Sequence, residues 1–119
     1  NLYDEFSATE NLFLLMRIRG VRDRRVDLIE ALLKRFNLWN RRDDAVRGYS
    51  TGMKQRLKYI FALMHSPALL ILDEPTTNLD EDGIKVVEEI VGEQKRSSLL
   101  IVATNDAAEA GWCDKVIKL

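Results

Sequence analysis

The sequence is poor in cysteine and has no long apolar run. Its one cysteine, Cys113, excludes an internal disulfide and a cysteine-rich metal site. Apolar runs are short, such as residues 68–72, and none approaches the ~20 residues that cross a bilayer. No signal-peptide pattern opens the chain. We therefore expect a soluble protein of a reducing, cytoplasmic compartment.

An excess of charge of either sign is also missing. Lysine and arginine number 18 and aspartate and glutamate 19, so the formal net charge is −1. This balance removes the electrostatic case for nucleic acid as a partner. Hydrophobic residues make up 46% and charged residues 31%, which is typical of a folded domain rather than a disordered tail. The 119 residues suffice for one small domain or a large piece of one.

The first part of the chain has the pattern of three helices. Ser7 and Glu10 form a capping box ahead of an apolar run, and Gly20 is placed to close that helix. Asp23 can cap a second amphipathic helix, and Ser50 can cap a third. This part of the chain is therefore predicted to be all-helical.

The second part alternates short apolar runs with amphipathic segments. We predict strands over residues 69–72, 99–103 and 115–119, and helices over residues 80–95 and 107–111. The all-apolar runs are typical of strands that are buried on both faces. The order βαβαβ implies parallel strands, and ligands of such sheets bind beyond the carboxyl ends of the strands.

Polar residues follow the two strongest predicted strands. Asp73 and Glu74 end the first strand, and Asn105 follows the second. One carboxylate of such a pair can hold magnesium through water, and the other can orient or deprotonate an attacking water. The alternative is that Asp73, Glu74 and Pro75 only end the strand in a polar turn.

Ser50 precedes a helix whose first amides, together with the helix dipole, form an anion site. Gly52 leaves room there for a close approach of the backbone to a ligand. The plainer interpretation is that Ser50 serves only as an N-cap, and the two roles are compatible.

These segments together resemble the ABC ATPase family. The resemblance rests on YSTGMKQRL (residues 49–57), LLILDEP (69–75), TTNLD (76–80) and IVATND (101–106), in this order. It implies an α/β fold: the C-terminal part of a P-loop NTPase, with a RecA-like parallel sheet core and an ABC α-helical subdomain. Residues 1–66 would be the helical subdomain with its signature helix. Residues 67–119 would be the core part with the Walker B strand, D-loop and H-loop.

The resemblance also implies a role for each matching residue. Ser50, Thr51, Gly52 and Met53 match the signature motif, which binds the γ-phosphate of ATP held by a second ATPase domain in a head-to-tail pair. Thr51 and Met53 replace the more usual glycine and glutamine, in a form, YSxGMKQRL, that is familiar among exporters.

The core motifs carry the remaining roles. Asp73 would position Mg²⁺ through water, Glu74 would be the catalytic base or water orienter, and Asp80 would contact the opposite subunit. Asn105 occupies the position of the family's switch histidine, which contacts the γ-phosphate. Asparagine donates a hydrogen bond but cannot become a cation.

The phosphate-binding loop GxxxxGKS/T and the Q-loop glutamine that precede these motifs in the family are not in the sequence. We expect the chain to be a fragment that binds ATP poorly by itself and is inactive alone. Without the strand of the phosphate-binding loop, an open sheet edge would let the fragment dimerise or swap elements.

The function that the resemblance implies is the ATP-hydrolysing subunit of an ABC exporter, lying on the cytoplasmic face of the membrane through a permease subunit. ATP and Mg²⁺ would be its cofactors, and nucleic acid is not expected as a partner. Two alternatives stay open: a soluble ABC ATPase acting on ribosomes or DNA, and a non-hydrolysing domain that binds nucleotide or partners.

Overall fold

The computed structural model describes residues 2–20 and 25–119, and the chain divides into two compact units, Asn1–Ser66 and Pro67–Leu119. The first unit contains helices α1 (Ala8–Ile18), α2 (Val26–Arg35) and α3 (Thr51–Leu63). Single 3₁₀ turns at Trp39–Arg41 and Val46–Gly48 connect α2 to α3.

Helix α3 packs against both α1 and α2 to form the core of the first unit. Its Leu57 and Ile60 are fully buried, as is Leu12 of α1. The rings of Phe36 and Tyr59 stack at 5.7 Å with 12° between their planes, which joins the end of α2 to α3. The apolar stripes at helical spacing therefore meet in one core.

The predicted capping box of α1 is confirmed. The Glu10 amide donates to Ser7 Oγ at 3.1 Å, and the Ser7 amide donates to Glu10 Oε1 at 3.2 Å. Gly20 follows the C-cap Arg19 with φ of 68°, a conformation that glycine adopts without steric cost. Asp23, the predicted cap of α2, lies outside the described residues, and α2 begins at Val26.

The second unit is a two-stranded parallel sheet with one long helix. Strands β1 (Leu69–Asp73) and β2 (Leu99–Ala103) are joined by α4 (Glu81–Ser97), and α5 (Ala107–Ala110) follows β2. Leu69 lies opposite Leu99 and Asp73 opposite Ala103, so the carboxyl ends of the two strands lie side by side.

Gln94 of α4 fixes the other end of the sheet. Its Nε2 donates to the carbonyl oxygens of Pro67 at 3.1 Å and Leu99 at 3.2 Å, and its side chain is buried. The two N–H groups of this buried amide are thereby satisfied, and they tie α4 to the chain at the starts of both strands.

Two predictions for this unit are wrong. The strands were predicted to be buried on both faces, but only the face against which α4 packs is covered. The other face exposes four apolar side chains, by 44% to 71%: Leu69, Ile71, Leu99 and Ile101. Residues 115–119 form no strand, since they pair with neither β1 nor β2 and their side chains are exposed. Among the described residues, no helix is both long and apolar enough to cross a membrane.

Candidate active site

Glu74 lies where β1 ends and continues the ladder to β2. Its amide donates to the Ala103 carbonyl at 2.8 Å, although its φ is 47°. Such a positive φ is uncommon for a residue with a side chain, and outliers of this kind concentrate at functional sites. The turn directs the Glu74 side chain towards the residues that follow β2.

The two residues predicted to be catalytic are in contact. Glu74 Oε1 accepts hydrogen bonds from the Asn105 amide at 3.2 Å and from Asn105 Nδ2 at 3.4 Å. Asn105 is exposed and Glu74 is half-buried, so the pair lies at the surface of the second unit. A carboxylate held by two donors has a defined orientation from which it can act on a water molecule.

Asp73 lies on the uncovered face of β1 with Ile71, because successive residues of a strand alternate between faces. No group of three or more acidic, histidine or cysteine side chains that would enclose a metal ion occurs among the described residues. One exposed carboxylate does fit Mg²⁺ in its usual mode, in which the ion keeps several waters and is shared with substrate phosphates.

The chain between Glu74 and α4 is a compact turn that Asp80 ends. The Thr77 amide donates to the Glu74 carbonyl at 3.1 Å, and Asn78 has φ of 64°. Asp80 is the N-cap of α4, and its Oδ1 accepts from the Gly83 amide at 2.9 Å. A Cβ at Gly83 would lie 3.1 Å from Asp80 Oδ1, so glycine keeps this cap tight.

Glu109 is a site residue that sequence reasoning missed. Its side chain is 2% exposed, and its carboxylate accepts from the Thr76 amide at 3.0 Å and from the hydroxyls of Thr76 and Thr104. The signal that was available is an acidic residue in a short segment otherwise made of alanine, next to the second strand end.

The predicted anion site lies in the first unit, at the start of α3. Ser50 Oγ accepts from the Met53 amide at 3.1 Å, and the Ser50 carbonyl accepts from the Lys54 amide at 2.9 Å. Ser50 is thus the N-cap of α3. The amides of Thr51 and Gly52 belong to the first turn, where no helical carbonyl is available to them. This geometry suits an anion.

Tyr49 supports this helix start, a structural role that sequence reasoning missed. Its hydroxyl donates to the Arg41 carbonyl at 2.5 Å, and its ring is buried beside the Arg41 guanidinium. Burial, with a smaller contribution from Asp44, raises the pKa of Tyr49, so the hydroxyl keeps its proton. The segment before Ser50 is therefore anchored to Arg41.

The same segment is joined to the beginning of the chain. The Val46 amide donates to the Phe6 carbonyl at 2.9 Å, and the Arg47 amide donates to the Asp4 carbonyl at 2.8 Å. Lys54 Nζ lies 3.4 Å from Asp4 Oδ1, in a partly exposed ion pair. The start of α3 is thus held from two sides, which keeps its amides in place.

Of the predicted site residues, the structure brings Glu74 and Asn105 into contact. Asp73 is the last residue of β1, and Asp80 is the N-cap of α4. Ser50, Thr51, Gly52 and Met53 form their own cluster in the first unit.

Comparison with known proteins shows which family the chain resembles. The family model described as "ABC transporter" matches residues 1–77. ABC transporter ATP-binding protein NatA of Bacillus subtilis (strain 168) is 34% identical over 121 residues, covering 99% of this chain and 49% of that protein. Phosphate import ATP-binding protein PstB of Mycobacterium leprae (strain TN) is 32% identical over 116 residues, covering 92% of this chain and 45% of that protein.

A solved structure, described as "Structure of ATP binding subunit of ABC transporter", superposes with a TM-score of 0.84 at 30% identity, covering 96% of this chain and 49% of that one. The predicted fold class, a partial P-loop NTPase with helices and a parallel sheet, is confirmed by this likeness. The chain spans about half the length of the relatives that it matches.

Proposed function

The chain belongs to the ABC transporter family, and from that premise we propose that it forms part of the ATP-binding and ATP-hydrolysing subunit of a transporter. The observation that carries the proposal is the contact between Glu74 and Asn105 at the carboxyl ends of two parallel strands. Ligands of open α/β sheets bind at this edge. Residues 67–119 would be the catalytic core part, and residues 1–66 the helical subdomain.

Asp73 would hold Mg²⁺ through a water molecule. Its exposed carboxylate at a strand end fits an ion that retains water and shares its coordination with phosphate oxygens. When bound, Mg²⁺ neutralises the negative charge that accumulates on the phosphates during transfer. Asp73 would supply the carboxylate that holds the ion beside the phosphates.

Glu74 would orient the attacking water and accept its proton. Asn105 holds Oε1 through its two amide groups, and we assign Oε2 to the water. Because Asn105 holds one carboxylate oxygen and leaves the other for the water, the Glu74 side chain keeps one orientation, as the positioning of a nucleophile requires.

Ser50, Thr51, Gly52 and Met53 would bind the γ-phosphate of ATP held by a second ATPase domain. The first amides of α3 and the helix dipole supply the positive potential, and Ser50 adds a hydroxyl. Hydrolysis then requires a head-to-tail pair of domains, with Asp80 at the interface. The chain alone, which carries no GxxxxGKS/T loop, would bind ATP weakly and be inactive.

We assign the transporter to export, with a permease subunit that holds the ATPase at the cytoplasmic face of the membrane. Support for export comes from the signature YSTGMKQRL, whose form resembles that of exporters. The relative from Mycobacterium leprae is named for phosphate import and so gives no support to export. The proposed direction of transport therefore rests on the signature.

A second candidate is a domain that binds nucleotide without hydrolysing it. It is favoured by Asn105, which donates a hydrogen bond to Glu74 but cannot become a cation beside a phosphate. Both candidates share the anion site and differ in whether Glu74 performs chemistry.

The test is Mg²⁺-dependent ATP turnover by the complete protein with its permease, compared with its Glu74→Gln variant. We expect the variant to lose at least about 10²-fold in turnover while it still binds ATP, because glutamine cannot accept the proton. Glu88→Gln, an exposed position on α4, is the matched control and should leave turnover unchanged. Absence of turnover in all three proteins would favour the second candidate.

A further inference from the structure

The carboxylate of Glu109 joins two loops of the candidate site. Oε1 accepts from the Thr76 amide at 3.0 Å and from the Thr76 hydroxyl, and Oε2 accepts from the Thr104 hydroxyl. Thr76 lies in the turn after β1 and Thr104 directly after β2. Glu109 therefore connects the two strand ends from one side chain.

This carboxylate is almost completely removed from solvent, with the residue 2% exposed. Burial of a carboxylate is costly unless donors compensate it, and here three donors converge on it. Glutamates are seldom buried in this way, so the position is specialised. A solvent-exposed glutamate on α5 would serve equally well if the helix only needed an acidic first turn.

We propose that Glu109 is a positioning residue, which holds the loops carrying Glu74 and Asn105 in the arrangement that lets the two contact each other. The proposal rests on the proposed ATPase function. Glu109 would not touch the nucleotide: it acts through Thr76 and Thr104.

Few residues separate the contacts of Glu109 from Glu74 and Asn105. The fully buried Pro75 lies between Glu74 and Thr76, so a movement of Thr76 is passed directly to the Glu74 backbone. On the other side, Thr104 immediately precedes Asn105.

Thr104 also connects the β2 end to α5. Its hydroxyl oxygen accepts from the Asp106 amide at 2.9 Å, and Asp106 Oδ1 in turn accepts from the Ala108 amide at 2.7 Å. The turn after β2 is thus fixed by a chain of hydrogen bonds that begins at Glu109 Oε2. Replacement of Glu109 by alanine would free both loops at once.

The experiment compares Glu109→Ala, Glu109→Gln and the control Glu88→Gln in the complete protein with its permease. We expect Glu109→Ala to lower kcat about 10²-fold, as misplaced catalytic groups do, with KM for ATP within about threefold of the parent. Glu109→Gln keeps one acceptor oxygen and should recover part of kcat. Glu88→Gln should match the parent.

Hydrogen exchange of the same proteins gives a second readout that does not depend on turnover. Glu109→Ala should speed exchange at the amides of Thr76 and Asn105 by at least about tenfold, while the amides of α4 stay as protected as in the parent. A residue needed only for general stability would speed exchange throughout α4 as well, and that result would overturn the proposal.

The two proposals fail in different ways. If the parent hydrolyses ATP and Glu109→Ala does so equally well, the positioning role is refuted and the ATPase function stands. If the parent does not hydrolyse ATP, the ATPase function fails, and exchange at Thr76 and Asn105 alone decides whether Glu109 joins the loops. Unchanged exchange at both amides would refute the positioning role in either case.

Discussion

The Glu74 carboxylate accepts hydrogen bonds from both amide groups of Asn105, at 3.2 and 3.4 Å, across a separation of 31 residues. Their meeting follows from the parallel register: Asp73 and Ala103 lie opposite each other, so Glu74, one residue beyond β1, lies beside Asn105, two residues beyond β2. The contact places a hydrogen-bond donor where a carboxylate can be oriented for chemistry.

Asn105→Ala should lower ATP turnover of the complete protein about fivefold, because the Nδ2 donor is lost while the backbone amide still binds Glu74. Asn105→Asp should lower turnover further, since it sets a second carboxylate against the first. Steady-state kinetics measure both. Equal turnover in Asn105→Asp and the parent would show that the side-chain contact does not matter.

Ser50→Ala should destabilise the first unit by about 1 kcal/mol, since the Met53 amide loses its cap. Urea unfolding followed by circular dichroism measures the change. Ser97→Ala is the control: Ser97 is exposed, and its hydroxyl donates to the Glu93 carbonyl of the same helix. If the two variants lose equal stability, Ser50 contributes no specific capping.

Acidification should destabilise the protein through His65. Burial, then Arg19 and Arg25, lower its pKa from 6.5, so the folded state disfavours the cation. Stability from this group is present above pH 6.5 and is lost as the pH falls through the lowered pKa, because the unfolded chain binds the proton first. The variant His65→Gln should show a smaller loss of urea midpoint between about pH 7 and pH 5.

Salt provides the check on this mechanism. Because Arg19 and Arg25 act on His65 by charge, high ionic strength should reduce the difference between parent and variant without removing the part due to burial. Identical pH profiles of parent and His65→Gln would contradict the prediction.

The chain by itself should self-associate through the uncovered sheet face. Leu69, Ile71, Leu99 and Ile101 are all more than two-fifths exposed and form one apolar surface. Light scattering should give a mass above 13.7 kDa, and Ile71→Lys with Ile101→Lys should lower it. Ile18→Lys replaces an exposed isoleucine of the first unit as the control. A monomer at micromolar concentration would contradict this expectation.

Local signals predicted the helices well. The capping box at Ser7 and the N-cap at Ser50 depend on side chains within three residues of the backbone amides that they serve, and Gly20 adopts its positive φ because it has no side chain. The parallel order of β1 and β2 also followed from the alternation of strand and helix.

Other features could not be predicted from neighbouring residues. Apolar strands suggested burial on both faces, but coverage depends on which elements pack there, and in this chain α4 covers one face. Residues 115–119 have the composition of a strand, yet a strand forms only where another provides its hydrogen bonds.

The sequence by itself determined the fold class, the order of the α-helices and of the two paired strands, and which residue types stand at the strand ends, because periodicity, caps and motifs are local or ordered along the chain. Tertiary structure alone decided that Glu74 contacts Asn105 and that Glu109 is buried between Thr76 and Thr104. The contacts of Glu74 with Asn105 and of Glu109 with Thr76 join residues about thirty positions apart, and they exist only once the two strands pair in register and bring their carboxyl ends together.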